Sequence, residues 1–125
     1  MINGNESERL TLDFIHQQAT NTNNSEAIAE LSKIKIPFSS WEQLYYQRKW
    51  SAYFSGSKSS KKTYPKRLFE DWSLKWMPFF LEASSINYAE SVTQLNYPIY
   101  FFLAKKDLVA NYAISQKYFD SLITD

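Results

Sequence analysis

Cysteine is absent from this 125-residue chain, and glycine occurs twice and histidine once. Without cysteine there is no disulfide framework and no thiolate chemistry, a composition that suits a reducing compartment. The two glycines, Gly4 and Gly56, leave few places where the backbone can bend sharply without strain. The single histidine, His16, has no second His, Cys or paired carboxylate at metal-ligand spacing, so no metal site is expected. No cofactor is expected either. No apolar run approaches the ~20 residues of a membrane span. The opening segment MINGNESERL is polar and acidic, unlike a signal peptide. A net charge of +1 gives no long-range steering toward nucleic acid or an anionic membrane. The expectation is a cytoplasmic chain with neither nucleic acid nor membrane as partner.

What is present is a largely helical pattern rich in aromatics. Ser7 is placed to cap a first helix with Leu10, Phe14 and Ile15 on one face, and TNTNN at residues 20–24 ends it, because such side chains compete for backbone hydrogen bonds. A short second helix follows Ser25, with Ala27, Ile28, Leu31 and Ile34 at helical spacing. Lys35-Ile36-Pro37 closes it, since the residue before proline is pushed out of the helical region. Ser39, three residues before Glu42, has the spacing of a capping box for a third helix that runs to about Phe54.

Residues 55–62, SGSKSSKK, read as a polar, basic loop. Helix resumes near Pro65, an acceptable first-turn residue. Leu68, Phe69, Trp72, Trp76, Phe79 and Phe80 then make a wide stripe, and Pro78 within it predicts an end or a kink. Ser84 or Ser85 starts a further short helix with Ile86, Tyr88, Val92 and Leu95. Then comes YPIYFFLAKKD at residues 97–107. Five consecutive apolar residues, Ile99 to Leu103, follow a proline placed where a strand tolerates one, and read as a strand buried on both faces. Such strands belong to parallel sheets covered by helices and need neighbours on both edges. A last helix, Tyr112 to about Ile123, turns Tyr118, Phe119 and Leu122 inward.

YPIYFFLAKKD and the helix NYAISQKYFDSLI after it resemble the late strand, acid turn and following helix of the α/β hydrolase fold, in its proline iminopeptidase-like branch. Family strands of this kind often read PVYFF and lead into a Gly-x-x-Asp turn whose Asp is the acid of a Ser-Asp-His triad. Here Ala104-Lys105-Lys106-Asp107 keeps the Asp and lacks the Gly. Residues 6–54, with ESERLTLDFIHQQA and Tyr46-Gln47-Arg48-Lys49-Trp50, resemble the helical cap that these enzymes insert before that strand. The resemblance implies a mainly α chain: a helical cap over residues 1–96, then strand, acid turn and helix of the hydrolase core over residues 97–125. It implies Asp107 as the catalytic acid. It also implies a fragment, since a complete α/β hydrolase needs roughly twice this length.

Chemistry sets limits on that reading. With two glycines the chain has no Gly-x-Ser-x-Gly nucleophile elbow, and His16 precedes Asp107, against the family order of Ser, acid, His. The parent would cleave an ester, amide or similar acyl bond, and the chain alone is expected to be inactive. Without the resemblance, Asp107 is simply a turn carboxylate and His16 an ordinary helix side chain. Lys58, Lys61, Lys62, Lys66 and Arg67, with Tyr64, have the makings of a phosphate- and base-binding patch, but the balanced charge favours a solvated loop. Trp41, Trp50, Trp72 and their aromatic neighbours fit a core first and a substrate pocket second. The alternative to a hydrolase fragment is a non-enzymatic helical interaction module that uses its exposed apolar surface. The partner is accordingly the remainder of the hydrolase or a second copy of the chain.

Overall fold

The computed structural model describes residues 2–56 and 65–124, and its architecture is mainly helical, as expected. Helix α1 (Gly4–Asn21) is capped by Asn3, whose Oδ1 accepts from the Glu6 N–H at 3.2 Å. The expected cap, Ser7, lies inside the helix instead. Asparagine caps as well as serine, and the Ser7 hydroxyl is engaged elsewhere. The inward face also differs from expectation. Ile15 is buried, but Phe14 is exposed and Leu10 only half-buried, and the buried row is Gly4, Ser7, Glu8, Thr11, Ile15 and Ala19. Small and polar residues occupy this row because the elements packed against it supply polar partners and come very close. A Cβ added to Gly4 would lie 2.6 Å from the Cα of Ser84, so glycine is what lets these helix ends meet.

Helix α2 (Ser25–Leu31) is capped by Asn24, and Ala27, Leu31 and the following Ile34 are buried while Ile28 is exposed. Helix α3 (Trp41–Phe54) begins at Ser40, and the Ser39–Glu42 capping box does not form. Gln43 replaces it: its Oε1 accepts from the Ser39 N–H and its Nε2 donates to the Lys33 carbonyl, both at 3.1 Å. Helix α4 (Lys66–Ser85) runs through Pro78 without ending there. The missing N–H removes one ladder bond, but Met77, Phe80 and Leu81 on either side of it pack against the core and hold both halves in one element. That core is built on Ile15, Leu31, Phe38, Leu44 and Trp50. Lys58, Lys61, Lys62 and Tyr64 lie outside the described residues.

The short helix α5 (Tyr88–Ser91) leads to β1 (Gln94–Leu95), and helix α6 (Tyr112–Ser121) leads to β2 (Ile123–Thr124). The two strands pair in parallel, Gln94 opposite Ile123 and Leu95 opposite Thr124. A parallel pair bridged by a helical crossover is the elementary unit of α/β sheets. The strand expected over residues 99–103 is not formed, which corrects the sequence reading. Its periodicity of two nevertheless survives. Ile99, Phe101 and Leu103 line a cleft of about 460 Å³ with Val92, Ile114 and Tyr118. Tyr100 and Phe102 face outward, 81% and 94% exposed. No ladder forms because no described element lies alongside to accept and donate its bonds. In α6, Tyr118 is buried and donates to the Val92 carbonyl at 2.9 Å, whereas Phe119 remains 43% exposed although its ring meets Phe101.

Candidate functional site

Asp107 occupies an exposed turn between the apolar segment and α6. The Asp107 N–H donates to the Ala104 carbonyl at 3.1 Å, closing the four-residue turn. Its Oδ1 then accepts from the Val109 N–H at 2.8 Å and the Ala110 N–H at 3.0 Å. Aspartate is suited to this because its short carboxylate reaches backbone donors two and three residues ahead, fixing the chain without glycine. Among the described residues, no hydrogen bond falls on Oδ2.

Two hydroxyls from α1 fasten the next stretch of this loop. Ser7 Oγ donates to the Val109 carbonyl at 3.2 Å and accepts from the Asn111 N–H at 2.9 Å. One turn along, Thr11 Oγ1 donates to the Leu108 carbonyl at 2.6 Å. Both residues are buried. Between them in sequence, Glu8 points into the body, and its side chain is 1% exposed. Arg48 of α3 grips it with two hydrogen bonds, Nη2 to Oε1 at 2.6 Å and Nη1 to Oε2 at 2.8 Å. Gln47 Nε2 adds bonds to Glu8 Oε2 at 2.6 Å and to the Glu8 carbonyl at 3.2 Å, and Gln47 Oε1 accepts from Arg48 Nη1. A buried carboxylate is tolerated only when paired and hydrogen-bonded in this way.

Arg48 is common to two clefts. A small one of about 220 Å³ lies between α3 and the acid turn, with Ser51, Ser55, Lys106 and Asp107 in its wall. A larger one of about 450 Å³ opens between α3 and α4 and is lined by Leu44, Leu68, Phe69, Trp72 and Phe80 besides Arg48. Residues of the expected stripe thus divide: Phe69 and Phe80 pack against the core, while Leu68, Trp72, Trp76 and Phe79 remain exposed on α4. His16 is half-buried on α1 and lines neither cleft. Lys66 and Arg67 are exposed, and Lys66 Nζ sits 5.7 Å from the Trp41 ring centroid.

At the far end of α3, Lys49 Nζ bonds Glu30 at 2.7 Å and Glu26 at 3.0 Å, and Trp50 Nε1 shares the Glu30 oxygen at 2.7 Å. Burial pulls the Lys49 pKa down, but the hydrogen bonds and charges of Glu30 and Glu26 outweigh it and leave the group raised. At the surface, the hydrogen bond from Arg9 holds Glu6 below its ordinary value.

Ser7, Thr11, Glu8 and Gln47 are functional-site neighbours that the sequence reading misses. Their signal is spacing: Ser7 and Thr11 lie four apart and in line with Ile15, so an inward polar row was available to the eye. Among the described residues, no three His, Asp or Glu side chains are grouped to hold a metal ion, and no helix is long and apolar enough to cross a membrane. Comparison with protein-family models, with curated proteins and with solved structures finds no match for this chain in any of the three.

Proposed function

We propose that this chain serves as the cap and acid-turn portion of a serine hydrolase of the α/β fold, with Asp107 as the acid of its triad. In such a triad a serine attacks the acyl carbon, a histidine takes its proton, and the acid orients that histidine and stabilises the imidazolium. The serine and the histidine would come from polypeptide that this chain does not itself contain. The observation that carries the reading is the segment over residues 99–103. It keeps strand periodicity, has one face against α6, and leaves Tyr100 and Phe102 bare on the other. A strand covered by helices on both faces is the setting for such a sequence. Support also comes from the parallel β1–β2 pair bridged by α6 and from the Asp107 carboxylate, whose Oδ1 is anchored while its Oδ2 accepts no hydrogen bond from the described residues.

The test is complementation. The coding sequence on either side of this chain's own should supply a Gly-x-Ser-x-Gly elbow upstream and a histidine downstream. The chain alone should not turn over p-nitrophenyl esters or aminoacyl arylamides. Coexpressed with those segments it should, and Asp107→Asn should lower kcat by on the order of 10⁴-fold, as loss of the orienting acid does in a serine triad. Flanks without elbow or histidine, or turnover indifferent to Asp107→Asn, would overturn the reading.

One observation favours a second reading, a non-enzymatic helical interaction module. Leu68, Trp72, Trp76 and Phe79 are each about half or more exposed and lie on one side of α4. A contiguous apolar row of this kind marks an interface. Stop codons and unrelated neighbours around the coding sequence would favour it.

A further inference from the structure

We infer that Ser7 and Thr11 are positioning residues for Asp107, through which the cap helix α1 sets the placement of the acid. The inference rests on the reading of Asp107 as a triad acid and adds to it a means by which the cap governs catalysis. The geometry is a short chain of contacts. Asp107 Oδ1 is fixed by the N–H groups of Val109 and Ala110. The backbone of that same loop is held at Leu108, Val109 and Asn111 by the hydroxyls of Thr11 and Ser7. Those hydroxyls sit on either side of Glu8, which Arg48 and Gln47 tie to α3. Helices α1 and α3 therefore form one platform, and the acid turn is bolted to it from below.

Serine and threonine are poor choices for a buried helix face unless their hydroxyls are used. Here Thr11 gives its one proton to the loop, and Ser7 serves it as both donor and acceptor. A displacement of α1 must then carry the loop with it. An acid that orients a histidine works only within a narrow range of position and angle, and a shift of about 1 Å can cost on the order of 10²-fold.

The variants that test this are Ser7→Ala, Thr11→Val, which keeps the shape and loses the hydroxyl, and Thr11→Ser, which keeps the hydroxyl. In the chain by itself, amide hydrogen exchange at Val109, Ala110 and Asn111 should quicken about five- to tenfold in Ser7→Ala and Thr11→Val and stay near wild type in Thr11→Ser. Amides of α3 should not change, which separates a loosened loop from general unfolding. In the complemented assembly, assayed on a p-nitrophenyl ester, Thr11→Val should lower kcat about 10- to 100-fold with KM altered less than about twofold, and Thr11→Ser should restore kcat. Turnover that depends on Asp107 but is equal in Thr11→Val and Thr11→Ser overturns the positioning role and leaves the hydrolase reading standing. Absence of turnover, or turnover that survives Asp107→Asn, overturns both.

Discussion

The two ends of this molecule treat the same kinds of side chain in opposite ways. In the helical body, Trp50 is fully buried, its indole N–H is bonded to Glu30, and even a carboxylate, Glu8, is enclosed with every partner it needs. Toward the C-terminal unit, the aromatic rings of Tyr97, Tyr100 and Phe102 stand in solvent. The core of the body is enclosed, although α4 leaves Leu68, Trp72, Trp76 and Phe79 exposed, whereas the C-terminal unit covers only one face of its apolar segment. Hydrophobicity favours burial, but burial needs a partner surface, which among the described residues the core of the body has and the outward face of residues 99–103 lacks.

That contrast can be broken or sharpened by mutation. The largest effect belongs to the buried ion pair: Arg48→Ala strands Glu8 in the interior and should cost about 3–5 kcal/mol in urea unfolding. Trp50→Ala should cost a similar ~3–5 kcal/mol through the cavity it leaves, whereas Phe102→Ser should change stability by less than about 0.5 kcal/mol while raising solubility. Equal losses from the two aromatic substitutions would erase the distinction between the ends. Gly4→Ala comes next. Its methyl group meets backbone at Ser84, so the helices must part, at about 1–3 kcal/mol.

The smallest effect concerns pH. Lys49 is raised in the folded state, so the stability it contributes with Glu30 and Glu26 is fully present below the unfolded value of about 10.4 and is lost as pH climbs through the higher folded value. Solvent screening of this partly exposed group keeps the contribution under about 1 kcal/mol. Thermal melts between about pH 9 and 12 should therefore show a slightly steeper alkaline decline for wild type than for Lys49→Met.

Helix existence was legible in the sequence because apolar spacing and cap residues are local. The third helix ends at Phe54 as expected, and Asn24, which caps α2, closes the polar cluster TNTNN. What could not be read locally was decided by tertiary partners. Ser7 reads as a cap until a loop about 100 residues away claims its hydroxyl. Pro78 reads as a stop until the core grips both sides of it. Ile99 to Leu103 read as a strand, and the residues keep strand alternation, but a ladder is a property of two chains of residues and here there is one. The acid turn was legible as a turn carboxylate, while its fastening to α1 was not, because nothing in YPIYFFLAKKD refers to Ser7 or Thr11.

The central claim is the proposal that residues 99–103, which form no strand here, take up a strand when a partner sheet is supplied, and amide hydrogen exchange reads this directly. In the chain alone, the amides of Ile99, Tyr100, Phe101, Phe102 and Leu103 should exchange nearly as fast as in an unfolded peptide, and in the complemented assembly they should become protected to the level of the core of α3. Strong protection of these amides in a monodisperse monomer, or no gain of protection on assembly, would contradict the account.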